Sequence, residues 1–235
     1  MNIVDILILV VLISGAFLGF ARGFFKQSVM FVGTILVVLL SFIFKNPLSL
    51  IMYKNLPFFK FGGLTSLNIL LYETLAFIIA LVVLSIVLFV IIKITGIVES
   101  VLKITVVLAI PSKILGLIVG VIQSVVVLYV FLFLVSLPIL KVPYVNDSKY
   151  AKIILEKTPF ISRITDGVVK TFDEISKFSD ENLNKNYDSK KANKEMLEIM
   201  LKNKVITVEN ARILSDKSKI EVDNINELLE KYKEE

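Results

Sequence analysis

With 235 residues, 56% of them hydrophobic, a mean hydropathy of +0.81 and a formal net charge of +5, the chain is more apolar than a soluble domain, in which about 45 to 50% of residues are apolar. It has no cysteine and no histidine, which excludes disulfide frameworks, thiol nucleophiles, Cys/His zinc sites, histidine-ligated haem and histidine-dependent triads. Charge is unevenly placed: eight basic residues stand against three acidic ones up to Leu140, while the 18 basic and 18 acidic residues beyond it cancel. A neutral tail gives no electrostatic footprint for nucleic acid.

A spanning helix needs about 20 mostly apolar residues. Ile3 to Ala21 is the first such run, and its beginning lacks the basic region of a cleavable leader, so it reads as a retained helix. The short basic stretch Arg22-Gly23-Phe24-Phe25-Lys26 turns the chain back into a second run, Ser28 to Phe44. The third, Thr74 to Ile92, is bounded by Glu73 and Lys93; the fourth extends from Ile114 to about Leu137 and ends at Pro138 and Pro143, since proline cannot continue a helical ladder. None carries the polar stripe that a helix of a soluble bundle would turn to water, and backbone groups in lipid must be paired within the segment, so four transmembrane helices are predicted.

Two connections are less regular. Lys45 to Tyr72 contains Pro47, Pro57 and Gly62-Gly63 among apolar side chains and reads as a loop lying at the membrane interface. Between Lys93 and Lys113 the pattern is that of an amphipathic interfacial helix, too short and too charged to be a fifth span.

The tail opens with Thr158-Pro159, which reads as a helix cap with proline at the first helical position, followed by apolar residues at helical spacing through Phe172 and Ile175. Ser179 to Asn193 has little to bury and reads as a linker. Three short helical patterns follow, at about Lys194 to Lys202, at Val208 to Ser215 after Thr207, and at Asn224 to Tyr232 after Asp223. So few large apolar side chains make a marginal free domain, which needs the membrane, a second copy or a partner to fold firmly. The expected architecture is all-α and polytopic: a four-helix transmembrane domain over 1-140, a juxtamembrane amphipathic segment over 141-178, a linker over 179-193, and a small, weakly cored helical module over 194-235.

Gly15, Gly19 and Gly23 stand four residues apart, as do Ser112, Gly116, Gly120 and Ser124. Small residues at this spacing let helix backbones approach closely where lipid removes the hydrophobic drive. Packing of helix one on helix four is the preferred reading; a homodimer face or a glycine-lined path is the other. Gln123 lies ten residues in from Lys113, roughly 15 Å along a helix and near the bilayer midplane. It reads as an interhelical hydrogen-bonding group, with a place on a polar path as the alternative. Asp5 and Glu73 read as helix-end carboxylates within reach of water, and Arg22 and Lys26 as an orientation signal that places both termini outside. Nothing shows a nucleophile and a base at meaningful spacing, so no catalytic, metal or cofactor residue is assigned.

The start Asn2-Ile3-Val4-Asp5, the apolar run, then Arg22-Gly23-Phe24-Phe25-Lys26, and later Lys113-Ile114-Leu115-Gly116 and Gly120, together resemble the CvpA family of bacterial inner-membrane proteins, the colicin V production proteins. The resemblance covers about 1 to 140. It implies a multi-pass plasma-membrane protein tied to toxin production or secretion and to envelope homeostasis, without an established biochemical activity. In some relatives a similar four-helix region carries an extracytoplasmic serine protease, which this tail, lacking histidine, does not accommodate. The sequence departs from the family pattern at Gln27, often Glu, and at Gln123-Ser124, where an Arg-Gly pair is expected. The function expected from these features is a non-enzymatic scaffold or accessory protein, homo-oligomeric in the bilayer and presenting its tail to an envelope or secretion partner. A small oligomeric channel or transporter is the alternative.

Overall fold

In the computed structural model, which describes residues 2–59, 64–95, 109–137, 143–182 and 188–233, the described residues form ten α-helices and no strand. They are α1 (Ile3–Arg22), α2 (Phe24–Asn55), α3 (Leu67–Thr95), α4 (Ala109–Ser136), α5 (Pro143–Asn146), α6 (Lys149–Glu156), α7 (Pro159–Asn182), α8 (Ser189–Lys202), α9 (Val208–Asp216) and α10 (Ile225–Lys231). The four long helices, α1 to α4, are long and apolar enough to cross a membrane. The chain is an all-α polytopic membrane protein. The stretch between Lys93 and Lys113 read as an interfacial helix falls for the most part outside the described residues.

Two spans begin or end well beyond their expected limits. α2 continues past Lys45 and through Pro47 to Asn55, and α3 starts at Leu67 rather than Thr74. Thus most of the stretch expected as an interfacial loop is helical. At 32 residues, α2 is roughly 48 Å long, against a hydrocarbon core of about 30 Å. Lys45 and Glu73, which look like span limits in the sequence, pair with each other instead and so neutralise the charge that each would bring alone.

Contacts divide the chain into two compact units, Met1–Leu40 with Leu81–Arg163, and Ser41–Ala80 with Ile164–Glu235. In the first, α1 and α4 pack antiparallel along their small residues. A methyl group added at Gly19 would lie 2.9 Å from the Gly120 Cα, and one at Gly116 would lie 2.8 Å from the Gly23 Cα. Backbone atoms, not mobile side-chain ends, are the obstacle, so this approach depends on glycine. Gly23 has a second constraint, a φ of 78° between α1 and α2, a conformation costly for other residues.

The second unit gives the tail its core. Met196, Leu197, Met200, Leu214 and Leu229 of the tail helices are buried in the same unit as Tyr53, Ile69, Tyr72 and Phe77 of α2 and α3. Asn193 joins the two parts: its side-chain oxygen accepts from the Ser66 N–H at 3.0 Å, and its carbonyl accepts from the Ser66 hydroxyl at 3.1 Å. The Lys219 ammonium donates to the Leu56 carbonyl at 3.1 Å and lies over the Phe58 ring. The tail helices, marginal alone, are completed by residues 41–80 of their own chain. Within 179–193, the residues to Asn182 and from Ser189 belong to α7 and α8, and 183–187 lie outside the described residues.

Candidate functional site

The polar groups of the first unit are arranged at two depths. At the start of α1, Asn2 forms a capping box: its side chain accepts from the Val4 N–H at 2.7 Å, and Asp5 accepts from the Asn2 N–H at 3.0 Å. The other Asp5 oxygen accepts from the Ser148 hydroxyl at 2.5 Å and from the Tyr150 N–H at 3.2 Å. Ser148 also caps α6, accepting from the Ala151 N–H at 3.1 Å. One carboxylate therefore closes two helix N-termini, where unpaired N–H groups and the helix dipole favour a negative charge. Asp5 is buried, not the water-reaching end group expected from its position near the N-terminus; it is bonded instead by Ser148, 143 residues away in sequence.

Deeper in the spans runs a ladder of side-chain amides. Arg22 donates to the Gln27 carbonyl oxygen at 3.3 Å, the Gln27 amide donates to Gln123 at 2.5 Å, and the Gln123 amide donates to the Thr34 hydroxyl at 2.8 Å. Thr34 closes the series by donating to the Met30 carbonyl at 2.9 Å. Each partner satisfies the next, as low-dielectric surroundings require. Sequence reasoning singled out Gln123 by its depth, and noted Gln27 only as a departure from a family pattern; Thr34 carried no signal of its own.

The small-residue positions meet across α1 and α4. Gly15 faces Gly120 and Ser124, Gly19 faces Gly116 and Gly120, and Gly23 faces Ser112 and Gly116. Ser112 adds a directional tie, its hydroxyl accepting from the Phe24 N–H at 3.1 Å. Lys113 places its ammonium 5.7 Å from the centre of the Phe20 ring, a cation–π distance. Lys26 is partly exposed.

In the second unit, Lys45 and Glu73 form a buried ion pair at 2.5 Å. The Lys45 ammonium also donates to Asn46 and to the Val205 carbonyl, each at 3.1 Å, and Tyr53 donates to the remaining Glu73 oxygen at 2.7 Å. Glu73, like Asp5, is buried and not a solvated helix end. The cluster uses all three ammonium protons, the arrangement in which a buried pair is tolerated. It fastens the turn after α8 to α2 and α3. Sequence reading took Lys45 and Glu73 for the limits of their spans, whereas both lie within α2 and α3 and pair with each other.

These arrangements are structural ties between helices. Among the described residues no group of three or more carboxylates, histidines or cysteines is gathered to hold a metal ion. No curated protein and no solved structure matches the chain. Residues 4–159 match the family described as colicin V production protein. That match covers all four spans and the helices α5 and α6 that carry the Ser148 tie, and the chain belongs to the colicin V production protein family.

Proposed function

We propose that this chain is a non-enzymatic scaffold or accessory protein of the bacterial inner membrane, supporting production or secretion of a colicin V-type toxin and envelope homeostasis. The observation that carries the reading is the second unit, a helical module fastened to α2 and α3 and covered with charged side chains. Lys202 with Glu174, Arg212 with Glu230, and Lys231 with Glu198 lie on its surface. Such a surface suits a polar protein partner, and the family match supports the membrane setting. The channel reading has less support: Gln123, the polar side chain deep in the spans that it would use, already bonds to Gln27 and Thr34. The glycine stripes are likewise engaged within one chain, so an oligomer would form through other faces.

Deleting the tail would strip apolar cover from α2 and α3, so surface substitutions are the cleaner probe. Crosslinking and co-purification from native membranes should capture an envelope partner with the unaltered chain and lose it with Lys202→Glu plus Arg212→Glu. Absence of a captured partner, together with full complementation by that variant, overturns the scaffold reading. Orientation is tested separately at the exposed Lys152. With both termini outside, Lys152→Cys reacts with an impermeant thiol reagent in cells whose inner membrane is intact; reaction only after lysis reverses the topology.

A further inference from the structure

In the first unit, α2, α3 and α4 leave a half-open cleft of about 380 Å³, lined by Val37 and Val38, Ser85 and Leu88, and Val127 and Val130. Two hydroxyls border it, and both protons are used inside the protein: Thr34 donates to the Met30 carbonyl and Ser85 to the Leu81 carbonyl at 2.6 Å. Water in a cavity needs two to four polar partners, and an apolar cavity stays dry. The occupant is therefore apolar.

Its source follows from the surroundings. Val127 and Phe131 of its lining are exposed on a helix long and apolar enough to cross a membrane, so what reaches the mouth is hydrocarbon or another protein's side chain. Size separates these. A cavity of roughly 150 Å³ accommodates benzene, so a single inserted side chain would leave much of a cleft of about 380 Å³ empty, whereas a length of aliphatic chain fills it. Thr34 lies ten residues into α2, roughly 15 Å from its start and near the midplane of a core of about 30 Å. That depth is reached by lipid tails and not by headgroups.

We propose that the cleft binds one acyl chain of a membrane phospholipid between α2, α3 and α4. The site is independent of the scaffold reading. Because lipid already surrounds the helices, binding gains little from leaving water and depends on van der Waals fit. Filling the cleft is then the sensitive perturbation.

The chain has no tryptophan, so an introduced one is unambiguous. Val130→Trp fills the cleft, Ser85→Leu fills its open side in part, and Ile118→Trp, on an exposed face of α4, is the control. Full-length protein is reconstituted with phosphatidylglycerol bearing a mid-chain diazirine, crosslinked, mapped by peptide mass spectrometry, and examined in mild detergent by native mass spectrometry. One phospholipid should remain per unaltered chain, with crosslinks at Ser85, Leu88 and Val127. Retention should fall about tenfold in Val130→Trp, equivalent to about 1.4 kcal/mol, fall by less in Ser85→Leu, and stay unchanged in Ile118→Trp. Circular dichroism checks folding; if Val130→Trp does not fold, Ser85→Leu decides. Retention unaffected by either filling variant, equal loss in the control, or a lipid-free dimer crosslinked through the cleft would each overturn the proposal.

Discussion

Removing the Glu73 carboxylate tests whether the tail is held by the buried cluster of the second unit. In Glu73→Ala the Lys45 ammonium keeps Asn46 and the Val205 carbonyl but loses its counter-charge, and Tyr53 loses its acceptor. Breaking one side of a buried ion pair costs about 3 to 5 kcal/mol, because the other charge stays buried without compensation. Replacing both partners by apolar groups is often neutral, so Lys45→Met with Glu73→Leu should cost less than Glu73→Ala alone. Hydrogen exchange reads the difference where it matters. Amides of α8 and α9, which flank Val205, should exchange roughly two to four orders of magnitude faster in Glu73→Ala, at about 1.4 kcal/mol per decade, and recover most of their protection in the double variant. Unchanged protection in Glu73→Ala, or a double variant worse than the single one, would refute the assignment of the pair as the tie between the tail and the helices α2 and α3.

Other expectations follow from the same contacts. Gly19→Leu drives a side chain into the Gly120 backbone and should destabilise the α1–α4 pair by at least about 1 to 3 kcal/mol, seen as a lower midpoint of thermal unfolding in detergent, whereas Phe17→Leu on the exposed face should not. Gln123→Leu removes one acceptor and one donor from the ladder and should lower stability by about 1 kcal/mol per bond lost, read in the same assay. Glu198 is held below its usual value of 4.5, first by the Lys231 hydrogen bond, and Lys231 is raised above 10.5, first by the same hydrogen bond. A lowered acid stabilises above its unfolded pKa and loses that contribution as pH falls through the folded value; the raised base loses its contribution as pH rises through its own. Protection of α10 amides should therefore weaken slightly on both flanks, below about pH 4.5 and above about pH 10.5, and Lys231→Met should remove both trends. Salt should shrink the effect, because the pair is exposed.

The spans were legible because long uncharged runs have one stable form in lipid. The tail helices were legible in part through local chemistry: Thr207 caps α9, accepting from the Asn210 N–H at 3.2 Å. The last pattern, placed after Asp223, begins one residue later in the structure, at Ile225. Asn224 takes the cap position with φ 53° and makes no side-chain capping bond. Thr158 donates its hydroxyl back to the Ile154 carbonyl at 2.6 Å. What could not be read was pairing at a distance. Each charge in an apolar run looked like a boundary, because a lone charge in hydrocarbon is costly, and only the fold shows that Lys45 has Glu73 and that Asp5 has Ser148. The same reason hid the tail's core, whose two parts lie more than 80 positions apart, from Ala80 to Ile164.

The two positions at which the sequence departs from the pattern that the resemblance implies meet in the structure. The resemblance implies Glu at the position of Gln27 and Arg at that of Gln123, and here the Gln27 amide donates to Gln123 at 2.5 Å. A carboxylate and a guanidinium at these positions would form a buried ion pair, and two amides keep the hydrogen bond without burying charge. If so, the positions are coupled. Gln27→Glu alone places a carboxylate at a site only 2% exposed, with Arg22 as partial compensation, and Gln123→Arg alone places a cation among α1, α2 and α4. Each should destabilise the chain, and the double variant should recover a coupling energy of about 0.5 to 3 kcal/mol. Thermal unfolding of the four proteins in nanodiscs of one lipid composition measures it. Strict additivity would mean that the two substitutions are independent and that the positions are not coupled.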